Sequence, residues 1–431
     1  MKLLIKNGRV LDPSSGTDET LDVLISDGKI ISVEARIEGA GATIIDASRL
    51  VVAPGFIDMH AHVREPGQEK KEDISSASRA AAKGGFTTIC AMPNTNPVND
   101  SRRVTEYIIA ESRKRAMINI LPIAAITKGL AGEELTDMAD LAASGAVAFS
   151  DDGRGIQNSW IMRQALERAK RLNALVIDHC EDSSLSRGGM MNEGPTSLLL
   201  GIPGIPATAE DIMVSRDIIL AGAAGARVHI AHLSTRGAVD LVREAKRRQI
   251  LVTAEATPHH LVLTDTALEK RDPNLKVNPP VRGAEDVRAL QEAVREGVVD
   301  AFATDHAPHS PEQKELGFSQ APFGIDGLET AVSLLLDRLV SKQIIPLMRF
   351  VEMFSTRPAQ ILGLRGKGRI SPGADADLTL LSLHQEVTVD VRNLVSKSRN
   401  NPFDGWKLKG APQMTIRGGR VVYPFDYSPR P

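Results

Sequence analysis

Apolar and polar positions divide the chain into three regions. In the first fifty residues short apolar runs alternate with turn dipeptides: Leu3-Leu4-Ile5, Asp22-Val23-Leu24-Ile25 and residues 29–33, broken by Asn7-Gly8 and Asp27-Gly28. Such runs bounded by Asn-Gly and Asp-Gly predict strands and tight hairpins. The C-terminal stretch has the same texture, with strand-like runs at 376–381, 386–389 and 414–417, then Gly418-Gly419 before Val421-Val422-Tyr423. Both ends are therefore expected to be β-rich.

The middle differs. From about residue 52 to 364, short apolar runs alternate with longer amphipathic stretches. The runs at 54–59, 87–92, 118–124, 146–150, 175–179, 227–232, 251–256 and 300–304 predict buried strands, and 75–83, 161–172 and 239–248 predict helices. Continuously apolar strands alternating with helices predict an α/β fold with a parallel sheet, here a (β/α)8 TIM-like barrel. An open doubly wound sheet shares the local pattern. No helix opens with G-x-G-x-x-G or a Walker loop, which removes the main ligand argument for it. Two long Gly- and Pro-rich stretches, 181–207 and 307–327, are expected to be functional or mobile loops.

Composition adds exclusions. At 431 residues with 42% hydrophobic and 25% charged residues, the chain reads as globular, with room for a barrel plus a smaller domain. A formal net charge of -2 gives no overall field for nucleic acid or an anionic membrane. No apolar run has the length of a membrane span, and the first residues lack a signal peptide's pattern. Two cysteines exclude a disulfide framework and fit a reduced, cytoplasmic setting. Cys90 reads as a core residue. Cys180, directly after His179, reads as core, with a soft metal ligand as the alternative.

Ionisable residues fall at strand ends. His60 and His62 close the first run, Asp151-Asp152 follows the fourth, and His179, His232 and Asp305 end the fifth, sixth and eighth. A barrel opens all its strand C-termini onto one face, so these residues would converge there. Imidazole and carboxylate are ligands that zinc accepts, and residues i and i+2 of a strand point to one side. A single strand-end histidine is more often a hydrogen-bonded structural group, and His229, His259, His260, His306 and His384 are assigned that role. Asp-Asp-Gly alone would be an ordinary turn.

The run Val52-Ala53-Pro54-Gly55-Phe56-Ile57-Asp58-Met59-His60-Ala61-His62 resembles the opening motif of the amidohydrolase superfamily. His62-Val63-Arg64-Glu65-Pro66-Gly67, Ala91-Met92-Pro93-Asn94-Thr95, Ala303-Thr304-Asp305-His306-Ala307-Pro308-His309 and the run 322–329 resemble the dihydroorotase family. The resemblance implies that residues 1–52 and 365–431 form a small β-sandwich beside a barrel of 53–364. It implies one or two zinc ions: His60, His62 and Asp305 on the first, and Asp152 bridging to a second held by His179 and His232. Relatives that bridge with a carboxylated lysine near the fourth strand differ here, since residues 148–153 contain none; this resembles the long-chain bacterial type.

The implied reaction interconverts N-carbamoyl-L-aspartate and dihydroorotate in pyrimidine synthesis, with Asp305 carrying the proton. Arg64, Asn94 and His309 would grip the substrate carboxylate, while His62, Asn278, Phe323 and Gly324 would complete its site, under a lid at 307–321. A homo-oligomer, expected as a dimer, and association with aspartate transcarbamoylase are further implications. The alternatives are a hydantoinase or allantoinase, whose lysine is missing here, and a non-catalytic subunit, which would be expected to have lost ligands. Asp326 has no assigned role.

Overall fold

A computed structural model describes residues 2–39 and 41–427. Eight parallel strands form the central sheet: β1 (Phe56–Ala61), β2 (Phe86–Ala91), β3 (Asn119–Ala124), β4 (Ala148–Phe149), β5 (Val176–Asp178), β6 (Val228–Ile230), β7 (Val252–Ala256) and β8 (Ala301–Phe302). They pair in sequence order, and a parallel bridge between Ala61 and His306 brings the last back to the first. The expected (β/α)8 barrel is therefore the observed fold. Among the described residues, no helix is long and apolar enough to cross a membrane.

The outer helices follow from amphipathic spacing and capping. Helix Arg236–Arg247 buries Ala238, Val239, Val242 and Ala245, one face of a 3.6-residue period. Thr235 caps it by accepting the Ala238 N–H, and Lys246 and Arg247 sit in its last turn, where cations suit the dipole. Helix Ser159–Leu172 is capped by Asn158 and stops at Asn173, whose left-handed backbone (φ 52°) ends the hydrogen-bond ladder.

The flanking sheet joins both ends of the chain. Lys2–Asp12 pairs with Thr17–Ser26, which pairs with Lys29–Glu34; Val51–Pro54 pairs with both Lys2–Asp12 and Leu378–Thr388, and Lys407–Arg417 and Arg420–Tyr423 continue the sheet. Backbone bonds from Ile30 to Ala374 and from Ala376 to Gly28 fold this sheet back on a core of Leu3, Ile5, Val23, Ile25, Leu378 and Ile416.

Several expected boundaries shift for identifiable reasons. The strand expected at 54–59 starts at Phe56, because Val51–Pro54 belongs to the flanking sheet. Gly55 makes the crossing: a Cβ there would lie 2.3 Å from Thr87 Oγ1. The strand expected at 300–304 shortens because the Thr304 N–H bonds to the Asp58 carboxylate instead of a neighbouring strand. Residues 181–207, expected to be irregular, hold helix Pro195–Leu200 and a short parallel pair, Met191–Asn192 with Gly204–Ile205.

The closure of the barrel is thin in backbone bonds and thick in side chains. Besides the Ala61 bridge, His62 N–H donates to His306 O at 2.8 Å, and Thr304 Oγ1 donates to Asp58 Oδ2 at 2.6 Å. Behind this seam lie five of the chain's ten phenylalanines, Phe56, Phe86, Phe302, Phe350 and Phe354, with ring centroids 5.1–6.4 Å apart. Helix Leu347–Phe354 supplies the last two. Each fully buried phenylalanine is worth about 1.5–3 kcal/mol.

Candidate active site and metal centre

The C-terminal ends of the strands bring the expected residues together. His60 lies in β1 and His62 just past it; Asp152, His179, His232 and Asp305 follow β4, β5, β6 and β8. Arg64, His232 and Asp305 have φ of 67°, 32° and 46°, a left-handed conformation unusual for such residues and concentrated at functional sites.

The six groups face one another. His60 Nε2 lies 3.2 Å from Asp152 Oδ1 and 3.6 Å from Asp305 Oδ1. His62 Nε2 lies 3.1 Å from Asp305 Oδ1 and 3.4 Å from Asp152 Oδ2. His232 Nε2 is 3.6 Å from Asp152 Oδ1 and 2.9 Å from His179 Nδ1. His60, His62 and Asp305 form one group with metal-ligand spacing, and His60, Asp152 and His232 a second, with His179 alongside. The expected second set (Asp152, His179, His232) is thus drawn towards His60.

Hydrogen-bond partners fix which atoms face inward. His60 Nδ1 meets Glu255 Oε1 at 2.8 Å, and His62 Nδ1 meets Asn94 Oδ1 at 2.9 Å. Both oxygens accept, so both Nδ1 atoms carry hydrogen and both Nε2 atoms turn lone pairs towards carboxylates. His179 Nε2 likewise faces Glu181 Oε2 at 3.1 Å, leaving Nδ1 for the cluster. His60 Nε2 and Asp152 Oδ1 are buried without a hydrogen-bond partner. Converging lone pairs and buried carboxylates repel unless a cation lies between them, and the donors suit a divalent metal.

Carboxylates behind the histidines complete the arrangement. Burial raises the Glu255 carboxyl, but bonds from His229 and His60 outweigh it and pull it down to about 2. Glu255 therefore stays charged and orients His60, as carboxylates behind metal-binding histidines do. Burial also raises Glu181, which His179, Ser186 and Asn278 bring down to about 2. Neither glutamate was identified from the sequence.

A cavity of about 310 Å³ opens over this cluster, lined also by Arg64, Asn94, Asn278, His309, Phe323 and Gly324. Every residue expected to face substrate is therefore at its wall. Arg64 is buried, its Nε donates to Pro308 O at 3.2 Å, and among the described residues no ion pair holds it. Burial lowers it to about 10, so it remains a cation at neutral pH. His309 Nε2 donates to Phe323 O at 2.9 Å, and burial followed by the charge of Arg64 keeps its ring neutral, down to about 2. The stretch expected to be a lid contains helix Pro311–Lys314 and is tied down: Lys314 Nζ donates to Pro273 O and Pro322 O, and Lys276 Nζ to Ser319 O.

Of the histidines assigned to structure, His229, His260 and His306 have polar partners, whereas His259 is buried against His260 with its Nε2 unpartnered among the described residues. His229 bridges Thr253 and Glu255, His260 bridges Thr257 and Pro279 O, and His384 is exposed. His306 lies between Asp326 Oδ1 at 3.1 Å and Glu72 Oε2 at 3.5 Å, which gives Asp326 its role as a counter-ion. Burial lowers the His306 ring, but those two carboxylates raise it to about 10. Asp151 accepts from the backbone N–H groups of Ile126 and Thr127. Cys180 is buried and faces Asp217 and Asp178, beside Arg216 rather than the cavity.

Comparison with known proteins agrees with this geometry. Residues 48–238 match the "Dihydro-orotase-like" family model and residues 213–423 the "Amidohydrolase family" model. A dihydroorotase of Pelotomaculum thermopropionicum is 51% identical over 422 residues, covering 98% of each chain. The chain belongs to the dihydroorotase family. A second member, from Geobacter metallireducens, is 49% identical over 424 residues, covering 98% of this chain and 100% of that relative. Among solved structures, an L-hydantoinase from Arthrobacter aurescens matches with a TM-score of 0.89 at 27% identity, covering 97% of this chain and 95% of the other. A dihydropyrimidinase from Brevibacillus agri matches at 0.84 and 27%, covering 98% and 95%. The family shares its barrel with these cyclic-amide enzymes, so substrate choice rests on the cavity wall.

Proposed function

We propose that this member of the family interconverts dihydroorotate plus water and N-carbamoyl-L-aspartate, and that its metal is zinc. The observation that carries this is the buried Arg64 guanidinium, which has no ion pair among the described residues, in the same cavity as the lone-pair cluster. A divalent metal would satisfy the lone-pair cluster, and a cyclic amide bearing a carboxylate would place its amide at that metal and its carboxylate on Arg64.

His60, His62 and Asp305 would hold one ion; Asp152, His179 and His232 would hold a second, with Asp152 shared. When bound, zinc lowers the pKa of water and polarises the amide carbonyl under attack. Asp305, close to His60 and His62, takes a proton from the attacking water. It delivers that proton to the ring nitrogen as the C–N bond breaks, and the same transfers run backwards in ring closure.

Binding and orientation belong to the wall. Arg64 grips the carboxylate through its planar fork. Asn94 has its oxygen on His62, which leaves its NH2 for the substrate. His309 is neutral without substrate, and an anion beside it favours the protonated ring, which then donates through Nδ1. Asn278 and the Phe323–Gly324 backbone face the ring amides, while the tied-down 307–321 stretch limits access of water.

The test is turnover of dihydroorotate by the purified protein, side by side with hydantoin and allantoin. Dihydroorotate is expected to be consumed far faster. Faster turnover of hydantoin or allantoin would assign the site to a neighbouring cyclic-amide reaction, and no turnover of any would point to a non-catalytic subunit.

A further inference from the structure

Strands Leu378–Thr388 and Lys407–Arg417 of the flanking sheet are neighbours, yet the chain between them makes a long excursion over 389–406. This excursion carries Asn400, 2% exposed, to the back of the substrate cavity. Its Nδ2 donates to Ala307 O and Gly324 O, both at 3.0 Å, and its Oδ1 accepts the His309 N–H at 3.1 Å. One carboxamide thus uses both donor hydrogens and its acceptor on the backbone of two separate wall segments.

Neighbouring bonds anchor the excursion. Ser398 Oγ donates to Asp326 Oδ2 at 2.6 Å, Asn401 Nδ2 to Asp326 O at 2.6 Å, and Asp326 N–H to Asn400 O at 3.0 Å. The two wall segments are held very close: a Cβ on Gly324, whose φ is 144°, would lie 2.6 Å from Ala307 O. The segments clamped by Asn400 present His309 and Phe323–Gly324 to the cavity.

We infer that Asn400 is a positioning residue that sets the spacing between His309 and Gly324, and so the affinity for the carboxylate-bearing ring, without touching the substrate. The inference rests on the assignment of His309 and Phe323–Gly324 as substrate-binding groups. Its physical basis is preorganisation: two wall segments fixed before binding need no ordering on binding. The chemistry requires a carboxamide. Alanine leaves two buried carbonyls and one N–H without partners, and aspartate turns carboxylate oxygens onto both carbonyls.

The experiment compares wild type with Asn400→Ala, Asn400→Asp and Ser398→Ala in the full-length, zinc-loaded enzyme. It records steady-state kinetics, bound metal and backbone hydrogen exchange. Asn400→Ala is expected to raise KM for dihydroorotate about tenfold while kcat falls by less than about threefold, and Asn400→Asp to raise KM further. Bound metal should match wild type, and peptides covering 306–310 and 322–326 should exchange faster. Ser398→Ala, which loses one bond to Asp326, should raise KM about threefold and decides the matter if the Asn400 variants do not fold. Unchanged KM and exchange in folded variants would overturn the inference. So would Asn400→Asp behaving like wild type, or kcat and bound metal falling as steeply as KM rises. If wild type prefers a hydantoin, the functional assignment fails, while exchange at 306–310 and KM for that hydantoin still decide the role of Asn400.

Discussion

On its outer side, the seam between β1 and β8 packs Phe56, Phe86, Phe302, Phe350 and Phe354; at its upper end it presents His60, His62 and Asp305. The same two strands therefore carry a well-packed apolar layer and a buried polar cluster with unpartnered atoms. Aromatic packing stabilises the first, whereas desolvated lone pairs and carboxylates destabilise the second until a cation arrives. Stability and chemistry are separated by only a few residues along one strand, so substitutions on the two sides should have opposite signatures.

The largest effect is expected on the polar side. Asp305→Asn should reduce turnover of dihydroorotate at least about a thousandfold through loss of the proton carrier and a ligand. Its thermal unfolding should stay close to wild type, and substantial residual turnover would show that Asp305 moves no proton. On the apolar side, Phe354→Ala should lower the unfolding free energy by about 3–5 kcal/mol, read by denaturant titration, while kcat of the folded enzyme stays near wild type. A collapse of kcat without loss of stability would erase the contrast.

Two smaller changes sharpen it. Glu255→Gln keeps the shape behind His60 but removes the charge, and should weaken metal affinity about 10–100-fold in a competition titration. Equal affinity would mean that Glu255 only fills space. Arg64→Lys retains the charge and loses the fork, so KM should rise about tenfold; wild-type kinetics would remove the argument for a carboxylate-bearing substrate.

How much of this was legible in the chain depends on where each partner lies. The barrel was readable because apolar runs and amphipathic helices are local patterns, and His60, His62, Asp152, His179, His232 and Asp305 stood out as polar groups at strand ends. Arg64, Asn94 and His309 were reached through motif resemblance. Glu255 was not legible: it lies within the β7 run, and its partner His60 is 195 residues away. Asn400 is 91 residues from His309, between the strand-like runs at 386–389 and 414–417. Asp326 gained its role only from packing against His306. The shift of the first barrel strand came from Val51–Pro54, apolar enough for either sheet and committed to the flanking one by pairing with Leu378–Leu381.

The central claim is that the converging lone pairs at the barrel mouth hold zinc and that this centre, with Arg64, turns over dihydroorotate. The most direct measurement strips metal from the purified protein with a chelator, restores zinc in counted equivalents, and follows dihydroorotate hydrolysis at each addition. Activity should vanish on stripping and return as zinc fills the site, with the break in the titration giving the number of ions. Full turnover by metal-free protein, or none after zinc is bound, would contradict it.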